Sequence, residues 1–146
     1  MIWKQIDIGM MIKHSEKIGE LLDGVVAASS EEFTKEQLVE ALGKSHVAWA
    51  YFADDDTTEM DTIAVTTVVQ YPTKKVMIVV GCAGDRKKQP WKDVITGINA
   101  MAVKFYQADA IEVKGRKAFA KIWGAEGFKE KYVVIERDVQ PIEEGK

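Results

Sequence analysis

Apolar residues recur at three- and four-residue steps from Met11 to Val26 (Met11, Ile18, Leu22, Val25, Val26), which predicts an amphipathic helix. After Ser29-Ser30, Thr34 followed by Gln37 has the spacing of a capping box, and Leu38, Ala41 and Leu42 give one apolar face before Gly43, so a second helix is expected there. The pattern then changes period. HVAWAYFA (46–53) and TIAVTTVVQY (62–71) are rich in aromatic and β-branched residues and flank the polar turn Asp54-Asp55-Asp56-Thr57-Thr58, the pattern of a hairpin. VMIVV (76–80) is apolar on both faces and reads as a central strand following antiparallel on the other two. Pro90 suits a first helical turn, and Val94, Ile98, Met101, Ala102 and Phe105 share one stripe, predicting a helix over 90–107. Ala110 to Lys114 form a short strand, expected to run parallel to 76–80 because a helix connects them. A last helix over 117–125, with Ala118, Phe119, Ile122 and Trp123 inward and Gly127 as its stop, leads to KYVVIERDV (131–139), which alternates and predicts a final strand. Ile2 to Ile8 are a candidate edge strand with poor alternation, and 140–146 a frayed tail. The expected class is α+β: a mixed, mostly antiparallel sheet with helices on both faces, in one domain over 1–146.

Composition narrows the function classes. With 146 residues, 47% hydrophobic and 29% charged, the chain is expected to bury one core. A formal net charge of -3 argues against a general nucleic-acid binder, which needs a basic surface; only the short basic stretches Arg86–Lys92 and Lys114–Lys121 offer one locally. Cys82 is the single cysteine, which excludes an intramolecular disulfide and a cysteine-based zinc site within one chain. No signal-peptide pattern or membrane-length apolar run is evident, so a cytoplasmic location is expected, and no metal is assigned.

The candidate chemistry lies between Val76 and Phe128. A strand that ends at Gly81 and Gly84 and passes into a helix points unpaired N–H groups at the helix start, an arrangement suited to a phosphate or other anion, and Arg86, Lys87 and Lys88 add positive charge. Glu112 interrupts an apolar strand, facing either a site or solvent. Asp55, Asp56, Glu59 and Asp61 are either an attractor for a cation or a solvated turn. Cys82 is a nucleophile or a structural thiol, and neither His14 nor His46 has a spacing that pairs with it. Gly115-Arg116 either binds a phosphate or opens the last helix as a turn.

Two stretches, AVTTVVQYPTKKVMIVV and ADAIEVKGRKAFAKIWGAEGF, resemble the GCN5-related N-acetyltransferase (GNAT) superfamily, in particular the short acetyltransferase-like proteins of tailed bacteriophages. The resemblance covers most of the chain. It implies that acetyl-CoA inserts its pantetheine arm between the strands 76–80 and 110–114, with its pyrophosphate at Gly81, Cys82, Ala83, Gly84, Asp85 and Arg86 and the amides leading into Trp91. Val79 and Val80 would then supply backbone contacts and Arg116 a further cation. It further implies transfer of acetyl to an amine, with Glu112 or water accepting the proton and Tyr132 standing in for the family's acid, whose usual place before Gly127-Phe128 is held by Trp123. The chain departs from the family's Arg/Gln-x-x-Gly-x-Gly/Ala loop: it has GCAGDRKKQPW, with Asp85 beside the phosphate position and Pro90 removing a donor. The alternative reading is a catalytically inactive GNAT-like phage protein that serves as a virion or assembly component or as a module binding a host protein. A host or phage protein, or a second copy of the chain, is a candidate partner.

Overall fold

The computed structural model describes residues 2–29, 32–52, 60, 62–84, 91–114, 117–132 and 134–142. Five strands form one sheet in the order β1 (Ile2–Gln5), β2 (Val47–Phe52), β3 (Thr62–Gln70), β4 (Lys75–Gly84), β5 (Ala110–Val113). The first three pairings are antiparallel, and β4 with β5 is parallel, as the helical crossover between them predicts. The α+β class expected from the pattern is therefore observed.

Helices cover both faces. On one lie α1 (Ile8–Lys13), α2 (Ser15–Ala27) and α3 (Lys35–Ala41), where Ile18, Leu22, Val25 and Leu38 meet Ala48, Ala50, Ile63 and Val65 of the sheet. On the other lie α4 (Trp91–Met101), a π-helical turn at Ala102–Tyr106, and α5 (Lys117–Gly124), where Val94, Ile98, Met101 and Trp123 meet Trp49, Met77 and Val79. Alternation along β2 explains the division: Ala48, Ala50 and Phe52 point to the first layer and Trp49 to the second. Thr66 is buried among them, its hydroxyl accepting from Trp49 Nε1 at 2.9 Å and lying 3.2 Å from the Tyr106 hydroxyl.

Several expectations hold in detail. Thr34 accepts from the Gln37 N–H at 3.2 Å while the Gln37 side chain accepts from the Thr34 N–H at 2.9 Å, the reciprocal box that starts α3. Gly43 follows α3 with φ +84, a conformation that costs glycine nothing. The edge strand at the amino end is present, paired with β2, and α4 lies directly on it, because a Cβ at Gly97 would overlap the Trp3 indole.

Four expectations are corrected. The single helix over 11–26 is two, broken at His14, which caps α1 with φ -118 and ψ 28. Gly81 to Gly84 are not a loop: β4 continues through them, paired with Thr62 to Val65. The π-helical turn adds residues per turn and shifts the phase of α4's stripe, so Phe105 is 60% exposed rather than buried, its ring 5.0 Å from Trp49. Finally, 131–139 form no strand in the described part of that segment; Tyr132, Val134, Ile135 and Val139 stand in solvent. β5 is the last strand of the described sheet, paired with β4 on one side, and no described strand pairs with its other edge.

His46, which precedes β2, gives a test of the fold by pH. Burial, and then the Lys114 charge, lower its pKa from 6.5, so the folded chain holds the neutral ring. Well above 6.5 neither state is protonated and the full stability is present; as pH falls, the unfolded chain takes the proton first and stability declines through the folded pKa. The urea midpoint is therefore expected to fall between pH of about 7.5 and about 5.5, and His46→Gln to flatten that slope. An unchanged slope in the variant would contradict this assignment.

Candidate functional site

The strand pair β4–β5 opens partway along. Its parallel ladder runs from Val76↔Ala110 to Val79↔Val113, with the Lys114 N–H donating to the Val79 carbonyl at 3.3 Å as the last link. Beyond it β4 continues five residues to Gly84 with β3 alone. The cause lies in the register with β3: Thr66 faces Val79 and Val65 faces Gly81, so Val80 has no partner. One unpartnered residue is a β-bulge, which bends its strand and interrupts the ladder. The bend falls where β5 ends, and the two strands part.

A cavity of about 280 Å³ occupies the gap. Val79, Val80, Gly81 and Cys82 form its β4 wall and Val113 and Lys114 its β5 wall. Gly24, Ala27 and Ala28 at the end of α2 border it from one layer, and Trp123 of α5 from the other. Small side chains on α2 keep it open. Glycine at 81 has a second reason: a Cβ there would come 2.8 Å from Val25 Cγ1, so only glycine lets α2 approach β4 this closely. Trp123 is 2% exposed and held by rings on two sides, Trp91 at 5.6 Å and Phe128 at 5.0 Å.

Among the described residues, the gap offers main-chain amides of an unpaired strand edge, one cation and an aromatic wall. Lys114 is the cation, ion-paired at 3.9 Å with Glu32 and largely exposed, so it remains able to meet an anion. A channel of this kind fits an extended, amide-bearing chain, since an exposed strand edge pairs with any partner of strand-like geometry.

The residues expected from the sequence divide into groups. Val79, Val80, Gly81 and Cys82 come together in the cavity wall, and Cys82 there is a thiol outside any disulfide. Ala83 turns toward the α2 layer and Gly84 pairs with Thr62, so neither borders the cavity. Trp91 stands behind Trp123. Glu112 is not a cavity residue: it pairs with Ile78 below the opening, and its carboxylate accepts from Lys131 Nζ at 2.9 Å. That hydrogen bond raises Lys131 above its ordinary pKa. Tyr132 lies beside the same lysine, its ring 5.7 Å from the ammonium and 61% exposed, away from the cavity. Asp85, Arg86, Lys87, Lys88, Pro90, Gly115, Arg116 and the acidic group Asp55, Asp56, Glu59 and Asp61 lie outside the described residues. Among the described residues no cluster of His, Cys, Asp and Glu could hold a metal ion, and no helix is long and apolar enough to cross a membrane.

Gly24, Ala27 and Ala28 were not legible as site residues, and Lys114 was legible only as the start of a basic stretch. The signal available was a run of small residues at helical spacing, which marks a close approach without saying of what.

No family model matches the sequence, and no curated protein is similar enough to count as a relative. Solved structures are similar in fold. A crystal structure of a probable acetyltransferase superposes with a TM-score of 0.67 at 15% identity, covering 99% of this chain and 100% of that one. A GNAT family acetyltransferase of Staphylococcus aureus gives 0.66 at 9% identity, over 94% and 98%. An aminoglycoside acetyltransferase from an uncultured soil metagenomic sample, solved in complex with sisomicin, gives 0.63 at 14% identity, over 94% and 95%. The chain therefore has the fold of the GNAT acetyltransferases.

Proposed function

We propose that this acetyltransferase fold is used for acetyl transfer: the chain binds acetyl-CoA in the gap between β4 and β5 and passes the acetyl group to an amine. The observation that carries the reading is the parting of the two strands after Val79↔Val113, at the Val80 bulge, around a cavity of about 280 Å³. The pantetheine arm, an extended chain with two amides, lies along the free edge of β4 as a strand would. Lys114 faces the negative end of the ligand, and the segment Asp85–Arg86 and Arg116 complete the phosphate contacts in this reading.

The transfer is direct. The amine nitrogen attacks the thioester carbonyl carbon, the C–N bond forms and the C–S bond breaks, and CoA leaves as a thiolate. Backbone N–H groups at Val80 and Gly81 steady the oxyanion that develops on the carbonyl oxygen. Water accepts the proton lost by nitrogen and returns one to the thiolate, because Glu112 is engaged by Lys131 at 2.9 Å and Tyr132 is remote from the cavity wall. Trp123 excludes bulk solvent from the thioester; its indole has no acidic proton to give. The resemblance to phage proteins supports a role inside an infected bacterium, with an amine of the host or of the phage as acceptor.

Calorimetric titration with acetyl-CoA tests the reading. Saturable one-to-one binding is expected, and the absence of heat at millimolar ligand would remove it. Trp123 in the acid's place favours one second reading, a module that holds CoA or a protein without turnover. Binding of acetyl-CoA with no thiol release in the presence of polyamines, aminoglycosides and lysine peptides would select it.

A further inference from the structure

We propose that Tyr71, Glu112 and Tyr132 form a binding site for an alkylammonium ligand, in which the chain's own Lys131 is the resident guest. The site lies outside the gap between β4 and β5 and does not depend on acetyl transfer. Lys131 Nζ donates to Glu112 Oε1 at 2.9 Å and stands 5.6 Å from the centre of the Tyr71 ring and 5.7 Å from that of Tyr132. Aromatic faces within about 6 Å of a positive charge attract it, and a carboxylate beside them adds a hydrogen-bond acceptor.

Two of the three walls stand without the guest. Tyr71 sits in the turn between β3 and β4, where its N–H donates to the Lys74 carbonyl at 2.9 Å and its carbonyl accepts from the Gln70 side chain at 2.8 Å. That turn is clamped to the start of β5: the Lys75 N–H donates to the Asp109 carboxylate at 2.9 Å, and the Asp109 N–H donates to the Lys75 carbonyl at 2.8 Å. Glu112 stands further along β5, paired with Ile78 of β4. Main-chain hydrogen bonds therefore fix ring and carboxylate relative to each other, and a site held by its scaffold keeps its shape when the guest leaves.

The guest is held more loosely than its host. The Lys131 side chain is 54% exposed and that of Glu112 19%, and Lys131 lies in a stretch without helix or strand. An ion pair with one arm in solvent adds little to stability, so the lysine stem swings into water without unpacking anything. Glu112 is the partner that needs a cation, because a mostly covered carboxylate left unpaired is costly. The hydrogen bond also holds the Lys131 amine charged above its ordinary pKa, and its 2.9 Å length calls for an N–H donor, which favours a primary, secondary or tertiary ammonium over a quaternary one. Being tethered, Lys131 competes at an effective concentration on the order of millimolar, which a free ligand must exceed to take its place.

Butylammonium, the lysine side chain cut free, is the probe. It is titrated into the full chain at constant ionic strength while NMR follows the ring signals of Tyr71 and Tyr132. Both signals are expected to move together and saturate, at a concentration about tenfold or more lower in Lys131→Gln than in the wild type, because the resident competitor is gone. Adding Glu112→Gln to that variant is expected to weaken binding about tenfold or more, and butanol, of the same shape without the charge, to leave both rings in place. The absence of a saturable shift in Lys131→Gln overturns the proposal. So does saturation of that variant at the wild-type concentration, binding undiminished by Glu112→Gln, or butanol that moves the rings as butylammonium does.

Discussion

Replacing Ala28 by tryptophan is expected to weaken binding of acetyl-CoA and CoA by about a hundredfold or more, equivalent to about 2.7 kcal/mol, while stability changes by no more than about 0.5 kcal/mol. The two halves of that expectation come from different features of one residue. Ala28 caps α2 with φ -83 and ψ -6, a conformation open to any side chain, and it is exposed, so the fold does not resist the change. It also borders the gap between β4 and β5, and an indole there fills the space that the pantetheine arm requires. Calorimetry of the variant beside its melting curve checks both at once. Retention of wild-type affinity would place the ligand elsewhere.

The largest effect on stability is expected at Trp123. Truncation to alanine removes a side chain that is 2% exposed and packed between Trp91 and Phe128, and large-to-small changes of this kind cost about 3–5 kcal/mol. For a chain of this size the melting temperature should drop by roughly 10 °C or more. Trp123→Phe keeps an aromatic wall and should recover most of the loss. A melting temperature unmoved by Trp123→Ala would mean that α5 does not hold the α4 layer as described.

How much of this could be read from the sequence depends on the distance over which each feature is decided. The capping box at Thr34 and Gln37, the β-branched run of β3 and the apolar run of β4 are local, and the residues alone specify them. The parallel pairing of β5 followed from the helix between the strands. Gly81 and Gly84 misled, because glycine in sequence marks a turn, whereas Gly81 is there to let Val25 approach the strand. Phe105 misled for a different reason: the stripe was projected at 3.6 residues per turn through a segment that winds more widely. The cavity joins the end of α2, the middle of β4, the end of β5 and one side chain of α5, four segments whose proximity only the folded chain reveals. The same holds for Glu112, whose place in an apolar strand suggested a site, and whose partner Lys131 lies nineteen residues further on.

The 131–139 segment is the instructive failure. Tyr132 to Ile135 form an unbroken apolar, β-branched run followed by the charged run Glu136 to Asp138, so the strand rested on composition without a true alternation, and the four residues of β5 offer it only a short edge. Local pattern decides what a segment can become; the neighbours decide whether it does.

The most direct measurement is the amide spectrum of isotopically labelled protein during titration with acetyl-CoA. The account predicts that the N–H signals of Val80, Gly81, Cys82 and Lys114 move together and saturate with the ligand, since these line the two walls of the gap. Saturation that leaves those four signals in place, with shifts confined to another face of the molecule, would contradict it.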